Sequence, residues 1–325
     1  MNLTSLLALP QLEEDLGRLE STLRRSLRTE DALLADVAQH LVSAGGKRLR
    51  PALTIAAAAS GRAPATEEVL LGGVSVELVH LASLYHDDVM DEATTRRSVQ
   101  TVNSRWGNLV AIVAGDFLLA RSAEIAAGLG TEVAGLLAVT LGRLCEGQIS
   151  EVHSAFDMSR SEEAYLSAIA GKTASLMAAS CRIGALTAGL DRHHIEALTT
   201  FGQCFGMAFQ IRDDILDVVA THEDLGKEPG QDLVAGIYTM PVLRALRDSE
   251  SQAELKELLG KPLSPQDRDI ARDIVASSGA IAETTRTGRR YAERAAGAVT
   301  TLADTAVGES LARLGRSLID TLPGG

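Results

Sequence analysis

From Glu67 to about Thr94 the sequence has the apolar spacing of a helix, and it is apolar on several faces at once. A helix of that kind has no side to give to water, so it belongs in the middle of a helical bundle. The same stretch nevertheless carries Asp87-Asp88-Val89-Met90-Asp91. A second helical stretch, Arg192 to roughly Thr221, repeats the arrangement as Asp213-Asp214-Ile215-Leu216-Asp217. Each motif puts carboxylates at i and i+4, roughly 40° apart around the helix axis. Charges held so close repel one another. The neighbouring runs Leu78-Val79-His80-Leu81 and Phe205-Gly206-Met207-Ala208-Phe209 imply buried surroundings, where an unpaired carboxylate is costly. One such motif alone reads equally well as a solvated acidic face. Two in apolar helices favour a hard cation: magnesium takes oxygen ligands from one or two carboxylates plus substrate phosphates. The pair therefore points to a shared polymetal diphosphate site.

Composition narrows the fold. Alanine and leucine dominate, aromatic residues make up 3%, and β-branched clusters bounded by turn signals are scarce, so the expected fold is all-α. With 31 basic residues against 43 acidic ones the chain carries a formal charge of −12, which argues against a general attraction to nucleic acid or anionic membrane. An anionic substrate has to meet local basic clusters instead. Cys145, Cys181 and Cys204 lie far apart and match neither zinc spacing nor a disulfide framework, as expected for thiols in a reducing cytosol. The start does not resemble a signal peptide. The run Leu109 to Ala120 is interrupted by Asp116 and is too short to cross a bilayer, so a soluble cytoplasmic protein is expected.

Helical spacing is readable over Leu12 to Val42, Ala52 to Ser60, Glu67 to Thr94, Asn108 to Leu129, Thr131 to Ala155, Glu162 to Leu190 and Arg192 to Thr221. After a loop rich in glycine and charge, further helices are expected near Val242 to Leu259, Pro265 to Ser277 and Ala280 to Val307. No repeat or low-complexity linker divides the chain, so residues 1–325 are expected to form a single domain.

Basic residues concentrate at two places. Gly45-Gly46-Lys47-Arg48-Leu49-Arg50-Pro51 combines a free backbone with three cations, suited to diphosphate oxygens or simply a solvated basic turn. Arg96-Arg97 follows the first aspartate helix, where a helix-end pair bonding to backbone carbonyls is the plain alternative. Of the histidines, His80 and His86 share the first-motif helix. His86 is assigned no role, and the other five show no ligand-like grouping.

Taken in order, these segments resemble the trans-type isoprenyl diphosphate synthases, or polyprenyl synthetases. The resemblance covers nearly the whole chain: GGKRLRP from Gly45, HLASLYHDDVMDEATTRR from His80, GDFLLA from Gly115, GKTA from Gly171, FQIRDDILD from Phe209 and LGKEPGQDL from Leu225. It implies an isoprenoid-synthase-type helical bundle around a central cavity, usually as a homodimer. It further implies magnesium ligation by Asp87, Asp88 and Asp91 and by Asp213, Asp214 and Asp217, with three ions on the bound allylic diphosphate. Arg96, Lys172 and Lys227 match residues that contact that diphosphate, while Lys47, Arg50, His80 and Arg97 match the metal-free isopentenyl diphosphate pocket. Thr173 and Gln210 match polar groups lining the reaction centre, so Lys172, Thr173 and Gln210 are the expected catalytic set.

The implied reaction is head-to-tail condensation of isopentenyl diphosphate with an allylic diphosphate after magnesium-assisted ionisation. The product would be a substrate for membrane enzymes. In this family the growing chain runs alongside the first aspartate helix, which makes Val79, Ala82 and Ser83 its floor. None is aromatic, so a trans product longer than C20 is expected, with a geranylgeranyl or farnesyl diphosphate synthase as the alternative. A class I terpene cyclase and a non-catalytic subunit of a heteromeric synthase are more distant rivals, because both aspartate motifs and the basic turn are intact. Two positions depart from the family pattern. Ile237 stands where a lysine is frequent, and Ser98 where glycine is common.

Overall fold

The computed structural model describes residues 7, 9, 11–61, 65–225, 228–248, 252–302 and 306–322. Helices dominate, as expected: α1 Leu12–Ser26, α2 Ala32–Ser43, α3 Leu49–Ala59, α4 Glu67–Met90, α5 Val102–Trp106, α6 Asn108–Gly128, α7 Thr131–His153 and α8 Glu162–Ile169. They continue with α9 Ser175–Thr187, α10 Arg192–Val219, α11 His222–Leu225, α12 Gln231–Val234, α13 Met240–Ala245, α14 Gln252–Leu258, α15 Pro265–Ser277, α16 Ala280–Ala298 and α17 Ala306–Asp320. The chain forms two compact units, Met1–Leu141 with Leu176–Thr199 and Thr301–Leu311, and Gly142–Ser175 with Thr200–Thr300 and Ala312–Gly325.

Several long helical stretches break where local chemistry offers an alternative. The run read from Leu12 to Val42 is interrupted after Ser26, because Asp31 accepts a hydrogen bond from Leu34 N at 2.8 Å and starts α2 as its N-cap. Glu162 to Leu190 is divided by a wide π-helical turn, Ala170–Ala174. There two glycines allow the backbone of α7 to approach closely. A Cβ on Gly171 would lie 2.6 Å from Arg143 O, and one on Gly147 would lie 2.6 Å from Lys172 N. The stretch from Ala280 ends its helix at Ala298 rather than Val307.

In the first unit α4 is the buried axis that its all-round apolar pattern requires. Fourteen of its residues are buried, from Val69 to Asp88. Gly73 lets α1 pack close, since a Cβ there would meet Leu19 Cδ1 at 2.6 Å. This helix is the one described element long and apolar enough to cross a bilayer, and 72% of its apolar window is buried inside the protein. The packing of a protein core accounts for its composition.

A feature that helical spacing does not reveal follows α4. Thr95–Arg96 and Val99–Gln100 form a two-residue-by-two-residue antiparallel hairpin, the only strands among the described residues. Its turn residues Arg97 and Ser98 have φ of +52° and +63°. That is the sign pattern of a type I′ turn, which asparagine and glycine adopt more readily than arginine or serine. The position where family members commonly have glycine is therefore one where the backbone is left-handed. Ser98→Gly is expected to stabilise the chain by about 1 kcal/mol, read as a higher urea midpoint; an unchanged or lower midpoint would contradict the turn assignment.

Candidate active site

The first aspartate motif is divided by burial. Asp88 turns inward from α4, its side chain 2% exposed, and Arg96 Nε donates to its Oδ1 at 2.6 Å. Its Oδ2 is buried without a hydrogen-bond partner among the described residues. Burial raises the Asp88 carboxyl above its ordinary value, and Arg96 opposes the rise. Asp87 is half-buried and Asp91 exposed. Helix α4 closes with Ala93 N donating to Asp88 O at 2.9 Å and Glu92 in the left-handed region at φ +50°. Asn103 Nδ2 ties the same Asp88 carbonyl to that of Ala93, at 3.0 Å to each. The chain is thus bent back so that the hairpin presents Arg96 to the motif.

The basic turn also folds towards α4. Gly45 at φ +83° and Arg48 at φ +46° reverse the chain before α3. Arg48 lies inward, with Nε 2.9 Å from Glu20 and Nη1 2.9 Å from Glu77. It is a structural residue, unlike its neighbours Lys47, which is exposed, and Arg50, which is half-buried. Arg97 donates from Nη1 to the carbonyls of Leu41, at 3.2 Å, and Gly45. Gly46 admits both guanidiniums, for a Cβ there would sit 2.9 Å from Arg97 Nη1 and 3.0 Å from Arg48 Nη1. Beneath them lies Glu77, 2% exposed, whose carboxyl burial raises while Arg48, Arg50 and Arg97 hold it down. Glu77 was not among the residues singled out from the sequence. An acidic residue on the buried face of an apolar helix, three residues before His80, was the available signal. His80 is held well below its ordinary value by burial and then by the arginines, Arg50 first, so the imidazole is neutral at neutral pH.

In the second unit the second motif buries two of its three carboxylates, Asp214 and Asp217. Asp214 is buried, accepting from Tyr165 OH at 2.5 Å and from Gln210 Nε2 at 2.8 Å. Gln210 Oε1 in turn accepts from Thr173 Oγ1 at 2.7 Å. The expected reaction-centre residues Thr173 and Gln210 are therefore in direct contact, and both belong to the network that anchors Asp214. Burial pushes the Asp214 carboxyl up to about 7, against the pull of its two donors. Asp213 is half-buried beside Arg212, and buried Asp217 accepts from Asp232 N at 3.2 Å. Lys172, set on the π-helical turn, pairs with Glu151. Lys227 lies outside the described residues.

A residue not anticipated from the sequence adjoins this network. Arg160 is 6% exposed, and its guanidinium lies 5.7 Å from the Tyr165 ring. Its Nη1 reaches Tyr238 O at 3.4 Å, next to Ile237, and its Nε and Nη2 are buried with no hydrogen-bond partner among the described residues. Glu151, Tyr165 and Asp214 are the main acidic influences on it.

Two further segments fall into place. Gly115 of GDFLLA is required by His86, whose Nε2 would lie 2.3 Å from a Cβ at that position. Of the three positions expected to set chain length, Val79 and Ala82 are 3% and 0% exposed, whereas Ser83 is half-buried and donates to His80 O at 2.9 Å. Among the described residues no three or more His, Cys, Asp or Glu side chains converge as a self-sufficient metal site. Three carboxylates whose middle member is anchored to protein instead fit a cation that takes its remaining oxygens from substrate and water.

Known proteins resemble the chain over most of its length. Residues 31–276 match the polyprenyl synthetase family. A nonaprenyl diphosphate synthase of Mycobacterium tuberculosis is 38% identical over 301 residues, covering 92% of this chain and 90% of that protein. Heptaprenyl diphosphate synthase component 2 of Geobacillus stearothermophilus is 40% identical over 282 residues, 86% of each chain. The crystal structure of a geranylgeranyl pyrophosphate synthase from Corynebacterium glutamicum, complexed with calcium and isoprenyl diphosphate, superposes with a TM-score of 0.85 at 37% identity, covering 95% of this chain and 96% of that one. Motifs, all-helical fold and relatives converge, and the chain belongs to the polyprenyl synthetase family of prenyltransferases.

Proposed function

We propose that this chain condenses isopentenyl diphosphate with an allylic diphosphate, head to tail, to build a trans polyprenyl diphosphate. The observation that carries this reading is the division inside each aspartate motif: the middle residue is buried and anchored, by Arg96 at Asp88 and by Tyr165 and Gln210 at Asp214. Asp87 and Asp91 in the first motif and Asp213 in the second serve as the principal magnesium ligands, with Asp217 nearby. Magnesium bound by these residues, three ions in all, would supply neutralisation of the charge that develops on the departing allylic diphosphate. Arg96, Lys172 and Lys227 complete the cationic surround of that diphosphate.

Lys47, Arg50 and Arg97 hold isopentenyl diphosphate without metal. Neutral His80 offers them a hydrogen-bonding group that adds no further positive charge. The Thr173 hydroxyl and the Gln210 amide present dipoles that steady a carbocation without capturing it. Arg160 supplies the cation that Ile237 leaves out, since its unused donors lie beside the Asp214 network.

The nonaprenyl and heptaprenyl names of the relatives, and the absence of an aromatic residue at 79, 82 and 83, support a product longer than twenty carbons. The geranylgeranyl name of the Corynebacterium structure marks the lower alternative. Exposed Leu109, Ile112 and Val113 on α6, at 76%, 43% and 52%, support a homodimer in which a second copy covers them. We propose that the two compact units serve as one catalytic domain in the cytoplasm. A second reading, in which this chain needs a different polypeptide to be active, is favoured by the words "component 2" in the Geobacillus relative's name.

Asp87→Ala and Asp213→Ala are each expected to lower kcat for labelled isopentenyl diphosphate incorporation by about 10²–10³-fold, with the circular dichroism spectrum intact; near-normal turnover in either would sink the metal assignment. Ser83→Phe should shift the mass distribution of products to shorter chains, and a distribution identical to that of the parent would remove residue 83 from the tunnel floor. Ala82→Phe is the less informative substitution, because overpacking a closed site costs about 1–3 kcal/mol. For Arg160→Gln the expected change is a rise of about tenfold in KM for the allylic diphosphate, without a drop in melting temperature. Unchanged KM would return Arg160 to a packing role.

A further inference from the structure

Helix α16 carries arginines at 286, 290 and 294, a four-residue spacing that stacks them in one row. Like charges so placed repel, and the arrangement is intelligible where an anion sits among them. With Arg289, and with Arg244 from α13, the row lines a groove of about 740 Å³ that lies wholly within the second unit. Two glutamates share the lining, and both already face arginines: Glu283 is 3.6 Å from Arg286 and Glu293 is 3.3 Å from Arg316. Positive charge remains in excess, on a chain whose overall charge is −12.

The decisive group is Arg244. Its side chain is 11% exposed, and its Nη2 donates to Glu162 Oε2 at 2.8 Å and to Thr287 Oγ1 at 3.0 Å. Its Nη1 is buried with no hydrogen-bond partner among the described residues. Arg290 Nη2 donates to the same Thr287 hydroxyl at 3.1 Å, so the row and the buried arginine meet at one point. A buried guanidinium donor without an acceptor is costly, and an oxygen-rich anion removes the cost.

We propose that this groove is a second anion site that takes diphosphate-bearing ligands. Arginine forks match phosphate oxygens in pairs, and a diphosphate is long enough to engage successive arginines of the row. None of the lining residues belongs to the aspartate motifs or to the basic turn, so the assignment stands apart from the condensation reading.

Calorimetric titration of the full chain with inorganic pyrophosphate, in chelator and chloride buffer, tests it in a Lys47→Gln/Arg50→Gln background that disables the basic turn. Pyrophosphate binding is expected to persist there. Adding Arg290→Gln and Arg294→Gln, both at exposed positions, should weaken it about tenfold or more. The same pair of substitutions in the parent should leave initial-rate turnover unchanged, and Arg290→Lys should retain much of the binding. Geranyl diphosphate as a parallel titrant separates a bare diphosphate from an alkylated one, and saturable binding of either that the groove substitutions weaken supports the site. The proposal is overturned if no binding survives in the Lys47/Arg50 background, if the groove substitutions leave binding unchanged, or if sulfate at equal concentration binds as tightly as pyrophosphate.

Discussion

The carboxylate of Glu77, 2% exposed and 2.9 Å from Arg48, lets an arginine cluster form beside an otherwise apolar helix. Without it Arg48, Arg50 and Arg97 would repel one another with only Glu20, on Arg48, to offset them, and drawing an unpaired ion out of water costs several kcal/mol. Their opposing pull on the Glu77 carboxyl is the same interaction seen from the acid's side. Once Glu77 and Glu20 have taken Arg48, that residue fixes the turn beside which Lys47, Arg50 and Arg97 stand.

The same device recurs with signs reversed at the two aspartate motifs. Arg96 engages Asp88, and Tyr165 with Gln210 engages Asp214, so each motif hangs from the protein by its central residue. The outer carboxylates are then placed by the same helices that carry the anchored ones. Backbone strain accompanies this arrangement. Glu92, Arg97 and Ser98 all have positive φ within seven residues of chain, where glycine would be easier. The return is a short hairpin that aims Arg96 at one motif and Arg97 at the basic turn.

The pattern of the sequence was informative where one physical rule acts alone. Helical periodicity located α4, α6, α7, α10 and α15 within a few residues, and apolarity on every face of α4 implied its burial. Breaks such as Leu27–Asp31 and the π-helical turn at Ala170–Ala174 were invisible to periodicity, because they depend on one side-chain cap and on a glycine-to-glycine approach of distant segments. The carboxylates of the site were legible because their spacing is local. Glu77 and Arg160 were not, since each acquires its meaning only from tertiary neighbours: three arginines for the one, Tyr165 and the Asp214 network for the other. The Ser98 departure gained a physical reason only when its φ was seen.

The central claim, that one polypeptide of this sequence carries a complete condensing site, is tested most directly by mass analysis of its products. The purified chain alone is incubated with farnesyl diphosphate, excess isopentenyl diphosphate and magnesium. The account predicts a ladder of prenyl diphosphates rising in five-carbon steps past twenty carbons and abolished by chelation of the metal. No elongation by the single chain, or elongation indifferent to chelation, would contradict it.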